Sequence, residues 1–578
     1  MTNTATGPED QRGYQSLLIN DFSPGIFSSS WTVGIEGAAE SPGPFPAPLG
    51  AADGNHTVGC MNLLTGGLGP LPAMTQSHTP ADFGMGTPVG STQSQYLCLF
   101  NTAQNGDFTG GNELLTVQSW TDSGGTNHAY LQSLLWSPPS AHTVYTGSGG
   151  AFPVGVDWPD FCCYPFATRV VPSGPATVPG TPVIALAIGN QLGSIGYALL
   201  LYPDPANPTV YGTRTIPTGA DAMGFTFGHQ GRICMLPFDT TSWPTGADVP
   251  TFDLLSYTDP SNTETWPVQD EVFGPENPYG YGGITSVSAG ELFMIKCRGG
   301  AVIVQGDLNN PTVTALPAVK STGPMYGQVA SDPSGSFYCA QDEGAWVWNG
   351  GNASTKISVQ IDDDFYVISR PLPQLRLAGP GIPSGFSTYG YFVQRWGSWM
   401  LFSNNWLYNN QSGSWWRLYD PSVASFFYYT IGYHPQIMYA GVPWPLTDAT
   451  PLVYQFDRTK PANSYTWQSL AIRPSAKDRL IDAREVTVRA ANVTLDANAT
   501  IAVYLVDGNA NAHQCGQTWT LSATTREVQS QSFNTGRNTT GSLEALRLRL
   551  VASATSAGAP VVYDVVVGYR TRERIVTT

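Results

Sequence analysis

Three consecutive carboxylates, Asp362, Asp363 and Asp364, form the densest run of potential metal ligands in the chain. A calcium loop sets its oxygen ligands at alternate positions around a turn that needs glycine. This run does not alternate and has no glycine at a useful offset, so it reads as a solvated turn. Asn105-Gly106-Asp107 carries the chemistry of a hairpin turn. The eight cysteines, Cys60, Cys98, Cys162, Cys163, Cys234, Cys297, Cys339 and Cys515, form no CxxC pair, and no histidine stands at metal-ligand spacing. Most lie in apolar runs, which points to buried free thiols packed as small hydrophobes. A disulfide framework belongs to much smaller chains. The seven histidines are isolated from any serine or cysteine with an acid nearby, as a nucleophilic triad would need. GxSxG, HExxH, P-loop and dinucleotide fingerprints are all missing from the sequence. No residue is therefore assigned a catalytic, cofactor-binding or metal-ligating role, no cofactor is expected, and the chain reads as a non-enzyme. A glycosidase needs only two carboxylates brought together in space, and linear spacing is silent on that.

Gln341-Asp342-Glu343-Gly344-Ala345-Trp346 partly resembles the Asp-box of sialidase propellers. Ala340 replaces the expected hydroxyl residue and Trp346 comes one position early, so the stretch reads as a turn locked by an aromatic. Trp396, Trp399, Trp406, Trp415 and Trp416 could stack on sugars, but they fall within expected strands and read as packing residues. Asn-x-Ser/Thr sequons at Asn55, Asn352, Asn492, Asn498 and Asn538 are expected by chance in so Ser/Thr-rich a chain.

The elements that must position these residues are short strands. Between 389 and 421, aromatic and aliphatic runs alternate with polar turns such as Gln411-Ser412-Gly413. Strands this short cannot bury their faces alone and need copies alongside, as in a propeller blade. Comparable clusters begin near 224, 284, 327, 390 and 427, a spacing of about 40 to 60 residues that suits blades with some long loops. No window holds the 3.6-residue apolar period of a helix. From about 465 the character changes. Leu546, Leu548 and Leu550 alternate with Arg547 and Arg549, and Val486 and Val488 with Thr487 and Arg489. Such alternation marks half-buried antiparallel strands. The expected fold is all-β: an N-terminal arm at 1–27, a β-propeller-like body at 28–464, and a C-terminal antiparallel β-sandwich at 465–578 with its arginines facing solvent.

Charge divides the chain. The net charge is −16, yet residues 470–578 hold 12 basic and 9 acidic residues, leaving 14 basic against 33 acidic in 1–469. The long N-terminal part should repel nucleic acid. Its channel-facing surface is expected to be net negative. A basic face beside an acidic body suggests contact with an acidic neighbour or a second copy. Charged residues make up 12% of the chain, about half the usual share. Met1–Tyr14 has neither a basic n-region nor an apolar h-region. No apolar run reaches the ~18 residues that span a bilayer.

Three stretches together resemble bacteriophage tail structural proteins: LINDFSPGIF at 18–27, the kelch-like WLYNNQSGSWWRL at 406–418 with EGAWVWNGGNASTKIS at 343–358, and PVVYDVVVGYRTRER at 560–574. The resemblance is to tail nozzle and minor tail proteins. It implies a virion protein made in the host cytoplasm, acting as a nozzle- or adaptor-type ring that lines or closes the DNA exit path. Implied partners are further copies of the chain, other tail proteins (adaptor, fibres or spikes), and DNA that passes without specific binding. Two alternatives stand beside it: a siphovirus minor tail or adsorption protein binding a host glycan, and a propeller glycosidase or lyase.

Overall fold

The computed structural model describes side chains across most of 14–73, 300–365, 393–417 and 461–573, and backbone strands alone between 74 and 299 and at 429–460. The protein is all-β, and among the described residues helix is limited to single turns at Val359–Ile361 and Asp362–Phe365. Among the described residues, seven four-stranded antiparallel sheets follow one another. Six lie at 94–147, 160–217, 222–272, 285–316, 330–356 and 393–417. The seventh takes three strands from 429–461 and its fourth, Pro72–His78, from the N-terminal side. This is the strand plan of a seven-bladed propeller whose last blade is shared between the two ends of the body. First strands of neighbouring sheets touch: Asp160–Tyr164 meets both Ser94–Asn101 and Ala222–His229, and Ala330–Asp332 meets both Thr285–Ser288 and Val393–Trp396. Leu446–Thr447 of the seventh sheet reaches Ser94–Asn101 of the first. Blades begin at Ala222, Thr285, Ala330, Val393 and Tyr429, within a few residues of the starts expected from the sequence.

The C-terminal part forms two further sheets. One runs Gln529–Asn534, Arg479–Ala491, Val561–Glu573, Leu68–Pro70, Cys60–Asn62, with Gln15–Ile19 also on Val561–Glu573. The other runs Ser464–Gln468, Arg547–Ser553, Thr500–Val506, Ala512–Gln514. In Arg547–Ser553, Leu548, Leu550 and Ala552 are buried while alternate positions are half-buried, as a two-residue period requires.

The expected boundaries need correcting. Residues 14–27 are not an arm. Gln15–Ile19 pairs in register with Val565–Tyr569, and Leu17 and Ile19 are buried. Cys60–Asn62 and Leu68–Pro70, expected inside the propeller, extend the same sheet. Thr32–Gly34 lies parallel to Ala471–Arg473. The sandwich is therefore discontinuous in sequence. The chain starts in it, leaves at Pro72 to build the propeller, and returns at Pro461.

Candidate functional site

The sixth blade is built from Val393–Trp396, Trp399–Phe402, Trp406–Asn409 and Ser414–Arg417. Trp399 on its second strand is half-buried. Trp406, Trp415 and Trp416 are fully buried. The Trp415 ring lies 4.8 Å from Tyr408, 5.1 Å from Phe402 and 5.7 Å from Phe365, centroid to centroid. Those separations are typical of tilted and edge-on aromatic pairs, which add to burial energy. Its Nε1 donates to the Ile357 carbonyl at 2.8 Å, so burial leaves no orphan donor. These residues pack the blade, as the sequence indicated, and the side chain of Trp396 lies outside the described residues.

The stretch 18–27 is laid against this blade. Gly25 bridges to Trp415, with φ of +70°. A Cβ there would stand 2.6 Å from the Trp415 carbonyl oxygen. Three residues earlier, Phe22 meets Trp467 of the sandwich edge-on, 5.4 Å between centroids. Three residues after Phe22, the chain has thus crossed from the sandwich to the propeller. Ile26–Phe27 then pairs with Ala52–Asp53, and Ser28 N donates to the Gln360 carbonyl at 2.7 Å.

A polar network closes the seam. Asp53 is buried. Its Oδ2 accepts from Gln468 Nε2 at 2.9 Å and lies 3.6 Å from Arg547 Nε. Gln468 Oε1 accepts from Arg549 Nε at 2.7 Å, and the Gln468 backbone N–H donates to Thr57 Oγ1 at 3.0 Å. Burial pushes the Arg549 guanidinium below its ordinary value, and the nearby Asp53 charge works against that shift. From the propeller side, Arg417 Nη1 donates to the Gly54 carbonyl at 2.6 Å, with its guanidinium 4.4 Å from the Trp406 ring centroid. Arg547 and Arg549 were expected to face solvent. They face the seam, because the segment carrying Asp53 covers that side of the strand.

A second ionic cluster lies on the other sheet of the sandwich. Asp482 Oδ2 is 2.7 Å from Arg484 Nη2, 3.0 Å from Arg570 Nε and 2.7 Å from Arg572 Nη2. Asp482 and Arg570 are cross-strand partners, and Leu480 faces Arg572. Burial alone would raise the Asp482 carboxyl. Hydrogen bonds from Arg570 and Arg484, and the charges of Arg484 and Arg572, outweigh it and hold the group below its usual value. The Arg570 guanidinium also lies 5.6 Å from the Tyr14 ring centroid.

The other sequence candidates fall as follows. Asp362 pairs with Lys356 at 2.5 Å and accepts from Ser358 Oγ at 2.8 Å. Asp364 is buried and not a solvated residue, because the chain turns helical at 362–365 and tucks it against Gly54. Asp363 has no described side chain, and Asn105-Gly106-Asp107 lies outside the described residues, as do Gln341, Asp342 and Asn538. Glu343 pairs with Lys320 at 2.5 Å. Asn492 is fully buried and donates to the Asp496 and Ser522 carbonyls, so it accepts no glycan. Cys60, Cys339 and Cys515 are free and buried. Burial pushes all three thiols up, Cys515 to about 11. No cluster of three or more His, Cys, Asp or Glu able to hold a metal occurs among the described residues. Among them, too, no helix is long and apolar enough to cross a membrane.

No family model and no curated protein matches the chain. Among solved structures it is similar to a fructofuranosidase from Schwanniomyces occidentalis complexed with fructosylnystose. That match has 7% identity and a TM-score of 0.26, covering 84% of this chain and 97% of that one. It is also similar to a glycoside hydrolase at 9% identity and a TM-score of 0.22, covering 82% of this chain and 98% of the other. The expectation of a non-enzyme is corrected on this finding, since both structures are of glycoside-cleaving enzymes. That expectation rested on absent linear motifs, and paired carboxylates need none. At these TM-scores the likeness carries no substrate, activity or residue role to this chain.

Proposed function

We propose that this chain is a structural component of a bacteriophage tail, a nozzle- or adaptor-type protein that assembles with copies of itself into a ring around the DNA path and contacts other tail proteins. The observation that carries the reading is the course of residues 18–27. This stretch resembles the openings of tail proteins, and it ties the sandwich, through Phe22 on Trp467, to the propeller, through Gly25 on Trp415. Domains within one chain swing by default unless their interface is large or interlocked. Here strand pairing and a buried polar network interlock them, as a rigid ring subunit needs.

The charge of the chain supports the same reading. The excess of acidic residues in 1–469 lets a duplex slide past without sticking. A low content of charged side chains suits wide permanent contacts between subunits, and a ring requires head-to-tail interfaces that close by rotation. Immunogold labelling of tailed particles with an antibody to this chain tests the reading. Label confined to the tail tip or tail–head junction is expected. Particles without label, while the chain accumulates free in the lysate, would overturn it.

A further inference from the structure

The cluster around Asp482 has more cation than it can use. Three guanidinium groups converge on one carboxylate oxygen. Each guanidinium carries five N–H donors, so most are left over. The donors of Arg570 and Arg572 are not sealed in, with side chains 36% and 46% exposed, whereas Arg484 is 23% exposed and its Nε is buried. Arg479, exposed on the same strand, lies opposite Glu573 and reaches Thr571 Oγ1 at 3.5 Å. Elsewhere on the same sheet, Arg489 and Asp564 form a one-to-one pair at 2.9 Å, which is how a sandwich face ordinarily balances charge. The surplus is local.

We propose that this arginine face is a docking surface for the acidic propeller part of a second copy of the same chain, giving a head-to-tail interface. The choice of occupant rests on charge. Residues 72–461, which build the propeller, carry 27 acidic against 13 basic residues. Any copy brought alongside presents an acidic body to a basic face, and opposite potentials steer association and fix its register. Asp482 holds the guanidinium groups in place and leaves their outer donors for bidentate pairing with carboxylates. The inference rests on the ring reading above and names the surface that would join its subunits.

The test is sedimentation velocity of the full chain across NaCl concentrations. Wild type should self-associate, and the apparent Kd should weaken about tenfold or more between 50 and 300 mM salt. The double charge reversal R479E/R572E, which leaves Arg484 and Arg570 on Asp482, should abolish association at 150 mM salt while circular dichroism shows the folded β structure retained, with some loss in melting temperature from the new carboxylate beside Asp482. D482N should move the other way and strengthen association at a given salt, although it weakens the fold. A merely structural cluster would not show that opposition.

Association unchanged in R479E/R572E overturns the inference and leaves the ring reading standing. Salt-sensitive association lost in R479E/R572E but limited to open dimers upholds the surface and counts against the ring. Binding of the wild-type face to heparin or duplex DNA in preference to a second copy overturns the choice of partner.

Discussion

Asp53 and Asp482 are both attended by arginine, and they serve opposite ends. Asp53 is sealed in the seam between three chain segments, with Gln468 at 2.9 Å and one arginine at 3.6 Å. Asp482 lies on an outer sheet face with three arginines whose far sides meet solvent. The difference lies in what covers the strand. Arg547 and Arg549 occupy outward positions of Arg547–Ser553, but the N-terminal segment lies over them and turns a surface into a junction. Nothing described lies over Arg572. Asp482 is itself buried, but Arg570 and Arg572 reach solvent, so trimming it releases those cations to water, whereas trimming Asp53 leaves the buried Gln468 amide with nothing to bond.

That contrast can be broken in several ways. The largest effect should come from the aromatic side of the seam. Trp415→Ala removes an indole packed on four rings and should cost about 3–5 kcal/mol, read as a lower melting temperature by calorimetry. An unchanged transition would mean that the seam does not hold the sixth blade. Next, Asp53→Ala leaves the buried Gln468 amide without its acceptor and takes the facing charge from half-buried Arg547, and should cost about 2–3 kcal/mol. Asp482→Ala should cost distinctly less, and its effect should shrink in 0.5 M NaCl. Equal losses would erase the distinction between the two clusters. Gly25→Ala forces a side chain into a left-handed backbone 2.6 Å from a carbonyl oxygen, and should cost about 1–3 kcal/mol. It should loosen the contact with Trp415, seen as faster hydrogen exchange there.

The smallest effects are in pH dependence, where two carboxylates on the same sheet have opposite signs. Asp482 is held below 3.8, so its contribution to stability is complete above that value and is lost as the pH falls through its lower folded-state value. Asp564 is raised by burial, only partly offset by Arg489, so its charged form costs stability and protonation relieves that cost as the pH falls toward 3.8. D482N should flatten the acid limb of a melting-temperature curve, and D564N should steepen it. The same slope in both variants would contradict the assignment.

Much of the fold was legible. Blade starts follow from clusters of short strands recurring at about 40 to 60 residues, and the alternation through Leu546–Leu550 from a two-residue period, both of which need only local sequence. The pairings of the N-terminal strands were not legible: Ile26–Phe27 and Ala52–Asp53 are two residues long and form a parallel pair of their own, and nothing local in Gln15–Ile19 or Cys60–Asn62 names the sheet they join. Their partners are far away in sequence: Gln15 faces Tyr569, and Thr57 bonds Gln468. The seam was missed for the same reason. Alternation says that Arg547 and Arg549 share a face, and nothing in it says that residues 52–57 will cover that face. The Asp482 cluster was half visible, as a basic excess after residue 470, but the convergence of three arginines on one oxygen needed the register of two 13-residue strands.

On the proposed function, propeller and sandwich form one stiff subunit that stands in a ring. Electron-microscopy class averages of the purified full chain at micromolar concentration and low salt test it most directly. Closed rings of like subunits around an open centre are the expected result. A field of single particles, or of dumbbells whose two halves take many relative angles, would contradict it.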